Sequence, residues 1–302
     1  MAAGEPCLSA IPAPPAGARC RWDAPWFDAL RPTLDALGED ALAGHWQACL
    51  ARLNDEARSR GLVNAGGRAL AFVDARAVAG AAYERHVWDT GEVPTRLGPE
   101  GGWHDLFNAL AWLSFPRTKA RLNALQAREI ARDGVGARRG GLRDAATLFD
   151  ENAAIVVTAN PELVAALRGF DWQALLVRSR EAFAREVRVV AFGHALIDKL
   201  REPYKGICAH GWIVDPGAGA AGLAAIGALP AADRDGAQSP AAALPRLDAL
   251  VCDTLGADAL RTDAFAPLPV LGIPGWWAPN RDPSFYDDAS VFRGARRRAP
   301  RI

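Results

Sequence analysis

Residues 103–119, Trp-His-Asp-Leu-Phe-Asn-Ala-Leu-Ala-Trp-Leu-Ser-Phe-Pro-Arg-Thr-Lys, constrain the fold more than any other stretch of the chain. Leu106, Leu110 and Leu113 recur at helical spacing, so one face of a short helix is dedicated to a core. His104 and Asn108 are four apart and share a different face. Groups with acid–base or ligand chemistry are therefore carried near the start of a helix that is otherwise apolar and aromatic. Pro116 breaks the pattern, and a second helix is predicted from Arg117 to about Arg132, with Lys119 and Asn123 again four apart. His104, Asp105 and Asn108 are thus the first candidate site residues. Structural roles compete with this: Asp105 suits the first turn of a helix on dipole grounds alone, and His104 suits a cap or a half-buried position.

The flanking sequence predicts an α+β fold. Leu42, Trp46, Leu50 and Leu53 mark an amphipathic helix within 39–60, ended by Gly61 and the glycines after Asn64. Leu70 and Phe72 fall in a short strand. A helix follows from about Val78 to Thr90 with Gly91 as its C-cap. Val93 to Arg96 is extended, because a residue before proline is pushed out of the helical region. The segment 147–157 has two apolar runs around Asp150, Glu151 and Asn152, which reads as a β-hairpin. Asn160-Pro161-Glu162 starts a helix, with asparagine as cap and proline at the first helical position. Val187 to Phe192 is a buried strand, Gly193 and His194 open a helix to about Leu200, and Tyr204 to Val214 is a further strand with Cys208 and His210 on one face. Leu244 to Leu260 is helical. Residues 267–293, rich in proline and containing Trp276 and Trp277, form an ordered strap, because aromatic rings are costly to leave in water. The expectation is a mostly helical α+β protein with a small mixed sheet or hairpin and a Trp/Pro-rich C-terminal strap. Residues 1–20 read as a loose Ala/Pro-rich leader, 21–302 as a single domain, and 215–243 as a flexible Ala/Gly-rich insertion.

Composition enters as a set of exclusions. Lys and Arg together equal Asp and Glu at 35 each, so the formal charge is zero and there is no strong nucleic-acid signal. Five scattered cysteines without a CxxC motif suit reduced thiols and a cytoplasmic setting. No basic start followed by an apolar run marks a signal peptide, and no apolar run is long enough to span a membrane. Gly217 to Gly222 matches GxGxxG, but Pro230 interrupts where the long helix of a dinucleotide site is required. GxxxxGK[ST], GxSxG and HExxH are absent.

What remains is a scattered set: His104, Asp105, Asn108, Asp144, Asp150, Glu151, His194 and His210. Imidazole and carboxylate are the groups a zinc, manganese or iron site needs, and either serves as a general base. The first functional expectation is a metal-dependent or acid–base hydrolase. His104 would be base or ligand, Asp105 would orient it or bind metal, and Asn108 would fix substrate or metal. His194, His210 and Asp150 are the further candidate ligands of a divalent metal. Each has a structural alternative: His194 as a helix cap, His210 as a strand histidine, Asp150 and Glu151 as turn residues. A special case is a His-Me finger nuclease. The segment from His86 through His104, Asn108, Lys119 and Asn123 resembles the endonuclease I type, and Arg117, Lys119 and Arg121 would hold a phosphate. That fold needs a β-hairpin before the helix, where a helix and an extended loop are predicted. The alternative from a different class is a non-catalytic binding protein whose Trp276–Trp277 strap forms or covers a groove.

The segments WHDLFNALAWLSFPRTKARLNALQ, LRDAATLFDENAAIVV, VAFGHALIDKL, PYKGICAHGW and PLPVLGIPGWW, with DPSFYDD and VFR beyond it, together resemble the uncharacterised proteobacterial domain-of-unknown-function family numbered three thousand and twenty-five. The resemblance runs from about Trp22 to Arg293. It implies a soluble bacterial protein and no known activity. The family's motifs include positions matching His104, Asp105, Asn108, Asp144, Asp150, His194 and His210. Its motif has a threonine where this chain has Cys208, which weakens Cys208 as a ligand, and 215–243 looks like a local expansion.

Overall fold

The computed structural model describes residues 21–38, 45–78, 80, 82–98, 102–134, 140–217, 222–224 and 240–294. The expected leader, most of the expected insertion at 215–243 and Arg296 to Arg298 lie outside the described residues. The fold is mostly helical α+β with two small sheets.

Helices α1 (Arg31–Leu37) and α2 (Trp46–Ser59) come first, with Leu34, Leu37, Cys49 and Leu53 in the core. Strand β1 (Ala71–Asp74), helix α3 (Tyr83–Thr90) and strand β2 (Glu92–Thr95) form a small parallel crossover, Ala71 opposite Glu92 and Asp74 opposite Thr95. Helix α3 begins later than Val78, because residues Ala75–Val78 are a separate 3-10 turn. Gly91 caps α3 at φ 82°, and a Cβ there would stand 2.2 Å from the Ala69 carbonyl oxygen. Both facts require glycine.

The two helices read from residues 103–119 are α4 (Gly102–Ser114) and α5 (Pro116–Asp133). Leu106, Leu110 and Leu113 are buried as their spacing demanded. The first free amides of α5 are satisfied from another helix: the Asp248 carboxylate accepts from Arg117 N and Thr118 N, each at 2.9 Å. That contact fixes the direction in which Lys119 leaves α5.

Residues 147–157 do not form the expected hairpin. Gly141–Asn152 is helix α6, and strand β3 (Ala153–Val157) begins at the next residue. Ala145, Ala146 and Phe149 supply a buried helical face. Phe149 packs among Phe192, Trp212 and Phe265, with ring centroids at 5.0, 5.5 and 6.2 Å. Burying that ring outweighs the turn preference of Asp-Glu-Asn.

Asn160 caps α7 (Pro161–Arg168) as expected, its Oδ1 accepting from Glu162 N and Leu163 N. Then come α8 (Arg180–Glu186), β4 (Arg188–Ala191), α9 (His194–Lys199), β5 (Cys208–Val214), α10 (Pro240–Thr254) and β6 (Ala266–Pro269). The larger sheet has the order β4-β3-β5-β6, with β3 parallel to β5 and the outer pairs antiparallel. Every residue of β3 is buried, as a strand covered on both faces must be. Ile155 and Val157 enter one apolar cluster with Trp212 and Leu247, while Ala154 and Val156 enter the other with Leu110 and Leu268. No helix among the described residues is long and apolar enough to cross a membrane.

The C-terminal strap is ordered as a run of 3-10 turns. Asn280 is its peg: its amide donates to the Leu271 and Ile273 carbonyls at 2.8 Å, and its own oxygens accept from the Arg180 guanidinium.

Candidate metal centre

Three elements converge at one end of the larger sheet. His104 projects from the first turn of α4, Asp150 and Glu151 from the last turn of α6, and His194 from the start of α9. Helices α6 and α9 approach closely because Gly193 lacks a side chain. A Cβ there would lie 2.4 Å from Asn152 N and 2.5 Å from the Glu151 carbonyl oxygen. Gly193 N also donates to the Ala153 carbonyl at 2.9 Å, which ties the start of α9 to the end of α6.

The result is a cluster of two imidazoles and a carboxylate. His194 Nε2 lies 3.4 Å from Glu151 Oε2, and His104 Nε2 lies 4.0 Å from the same oxygen. The two rings stand at 71° with centroids 4.6 Å apart. One ligand atom from each residue lies within 4.8 Å of the others. The cluster lines a cavity of about 380 Å³ that also contains Tyr83, Glu84, Arg96, Asp105 and Gln126. Clefts of about 650 and 630 Å³ lie elsewhere, but neither has a histidine in its wall. Converging chemistry, not volume, selects the site.

Behind the cluster runs a buried polar chain. Asp150 Oδ2 is 3.9 Å from His194 Nδ1, too far for a hydrogen bond, and that nitrogen is buried without a partner. The other Asp150 oxygen pairs with the Lys119 ammonium, which also donates to Asn108 Oδ1 at 2.7 Å. Asn108 Nδ2 donates to Tyr83 Oη at 2.9 Å, and Trp112 Nε1 reaches the same oxygen at 3.3 Å. Lys119 is only 2% exposed, so its charge depends on this pairing.

The electrostatics follow from burial and this chain. Burial pushes the His194 imidazole down to about 3, against the opposing pull of Asp150, so the ring is neutral at physiological pH. Burial alone would raise Asp150, but the Lys119 ammonium paired with it outweighs that and holds the carboxyl below its usual range. Burial raises Glu151. It also keeps the Tyr83 phenol protonated.

The structure brings together some of the residues singled out in the sequence and separates others. His104 and His194 meet, although they are distant in the chain. Asp150 stands beside His194, on the nitrogen that faces away from Glu151. Asp105 lines the cavity, with Oδ2 accepting from Arg96 N at 2.6 Å rather than orienting His104. Asn108 lines it too, but its amide is committed to Lys119 and Tyr83. His210 is apart from the cluster: its Nδ1 meets Asn152 Nδ2 at 3.1 Å and its ring packs on Phe265. Asp144 is an exposed residue in the first turn of α6. Glu151, expected in a turn, is the carboxylate of the cluster. The buried spacing of Ala145, Ala146 and Phe149 was the signal that it ends a helix; nothing local pointed it toward His104.

Arg117, Lys119 and Arg121 do not converge on a phosphate site. Lys119 is spent on Asp150, Arg121 donates to the Leu255 carbonyl, and Arg117 lines a separate cleft beside Asp248. The hairpin that a His-Me finger needs does not precede α4; β2 pairs in parallel with β1 across α3. Trp276 is buried and Trp277 half-buried, their rings 6.2 and 6.5 Å from Trp26.

The molecule is thus an α+β protein with a His–Glu–His cluster in an open cavity. A family model described as a protein of unknown function, DUF3025, matches residues 70–296, which include the whole cluster, and the chain belongs to that family. No curated protein and no solved structure matches the chain.

Proposed function

We propose that the protein is a divalent-metal-dependent hydrolase whose metal is held by His104, Glu151 and His194. The observation that carries this is the convergence of their three ligand atoms in an open cavity. Two imidazoles and a carboxylate are the ligand set of catalytic zinc and ferrous sites that keep a further position open. His194 Nε2 lies 3.4 Å and His104 Nε2 4.0 Å from Glu151 Oε2, so one ion would be within reach of all three residues. Asp150 stands 3.9 Å from the other nitrogen of His194, on the side where a carboxylate charge favours a ligating ring. A metal so held supplies an acidified water and polarises a carbonyl. Asp105 has one oxygen committed to Arg96 N, and its other oxygen would serve as the base for that water. Asn108 holds Lys119 and Tyr83 in place. Cys208 and Cys252 form no disulfide among the described residues, which fits a cytoplasmic setting.

Isothermal titration with zinc, manganese and, without oxygen, ferrous ion tests the reading. One ion per chain is expected for at least one metal, weakened by ~100-fold or more in His104→Ala and Glu151→Gln, with unchanged circular dichroism. No binding of any of the three to the folded wild type overturns it.

A further inference from the structure

A cleft of about 630 Å³ lies on the C-terminal strap and shares no lining residue with the cavity around the His–Glu–His cluster. Its wall includes Pro25, Trp26, Trp276 and Trp277. Gly275, at φ 84°, turns the chain just before the two adjacent tryptophans. Their ring centroids stand 6.2 and 6.5 Å from that of Trp26. Trp26 is buried, and its Nε1 is closed to solvent. The Nε1 atoms of Trp276 and Trp277 differ: neither makes a hydrogen bond among the described residues, and neither is closed off in that way. Arg281 lines the same cleft, is exposed, and makes no hydrogen bond or ion pair among the described residues. The acidic groups of the wall are paired, Asp23 with Arg21 at 3.3 Å and Glu181 with Arg185 at 3.9 Å.

The cleft thus offers aromatic faces and unused donors. Its complement is a segment rich in acceptors and poor in donors. Proline-rich sequence has that character: proline carries no N–H, the extended helix it favours leaves its carbonyls without internal partners, and its rings pack on aromatic walls. The chain has such a sequence beside the cleft. Residues 11–15 are Ile-Pro-Ala-Pro-Pro. They lie outside the described residues, and the described chain starts at Arg21, itself a residue of the cleft. The stretch from Pro15 to Arg21 reaches at most about 20 Å, so the tether keeps the prolines near the cleft at an effective concentration on the order of millimolar.

We propose that the strap cleft is a proline-recognition groove whose occupant is the chain's own segment 11–15, with carbonyls of that segment accepting from Trp276 and Trp277 Nε1. The proposal is independent of the metal-hydrolase reading.

The test follows the indole N–H signals of the full chain by NMR. It compares the wild type with a variant carrying Pro12→Ser, Pro14→Ser and Pro15→Ser, each titrated with a synthetic peptide of residues 11–17. The peptide should shift the Trp276 and Trp277 signals of the triple variant. At least tenfold more peptide should be needed in the wild type, where the tethered segment competes. Adding Trp277→Phe to the triple variant, which keeps a ring and removes one donor, should weaken the peptide about fivefold. Melting temperatures establish that each variant is folded. No shift in the triple variant, equal affinity for the two proteins, equal binding of a peptide with serine in place of proline, or unchanged affinity in Trp277→Phe overturns the inference. Wild-type signals that move on dilution as a dimer dissociates would put a second copy's segment in the cleft and overturn the intramolecular occupant.

Discussion

His194 shows how one residue links burial, charge and stability. Its ring is nearly buried, its Nδ1 has no partner, and burial pushes its pKa down to about 3. In the unfolded chain a histidine titrates near its ordinary value of about 6.5. Between these values the unfolded state binds a proton that the native state refuses, so stability falls as pH falls, by at most about 1.4 kcal/mol per pH unit for one group. Asp150, also lowered, acts in the same direction at more acid pH. The melting temperature of the metal-free protein should therefore drop from pH 6.5 toward pH 3, and His194→Gln should flatten the upper part of that slope. An unchanged slope in the variant would refute the assignment. At this scale the sequence was partly legible. His104 and His194 stood out because histidine is scarce and each sits at a helix start. Glu151 stood in the same set, but its meeting with them was not legible, because such a triangle is a property of three elements meeting and no local spacing encodes it. His210 had an equally suggestive position, but its partner proved to be Asn152.

At the scale of elements, the site depends on the approach of α9 to α6. Gly193 is the residue that permits it, since a Cβ would strike backbone atoms of Glu151 and Asn152 that cannot rotate aside. Gly193→Ala should cost about 1–3 kcal/mol, the usual penalty for overpacking. It should also move His194 away from Glu151 and weaken zinc binding by tenfold or more. Urea denaturation and calorimetry check the two effects separately; normal zinc affinity in the variant would show that the approach does not set the cluster. Most elements were legible where a cap or a period marked them, as with Asn160 before α7, Gly91 after α3 and the leucines of α4. The exception is α6. Its last residues, Asp-Glu-Asn, have strong turn preferences, and the apolar runs on either side look like paired strands. Phe149 decides otherwise through rings supplied by the residue after β4, by β5 and by the residue before β6, contacts distant in sequence.

Across the whole molecule, the strap joins the C-terminal turns to α8 through two buried side chains, Asn280 and Tyr286, which both bond the Arg180 guanidinium. Asn280 is 1% exposed and holds two carbonyls and the Arg180 guanidinium. Tyr286 adds a hydrogen bond to the Gly272 carbonyl. Asn280→Ala should destabilise the protein by about 2–4 kcal/mol, from lost hydrogen bonds and the polar groups left behind. Zinc affinity should not change, because no residue of the strap lines the cavity around the cluster. A loss of zinc binding in the folded variant would mean that the strap and the centre are coupled. The strap was foreseen from its tryptophans, yet Trp276 is spent on the core, and the polar peg that holds the segment has no signature in composition.

Helix α6 passes into the central strand without a connecting residue, Asn152 being followed directly by Ala153. The backbone that carries Asp150 and Glu151 is therefore continuous with a fully buried strand that is hydrogen-bonded on both edges. The amide hydrogens of such a strand exchange with solvent only when the whole molecule opens. The carboxylate side of the centre has no private route to disorder. A captured ion would leave by rotation of side chains, at a rate that mild denaturant leaves untouched until the protein itself unfolds.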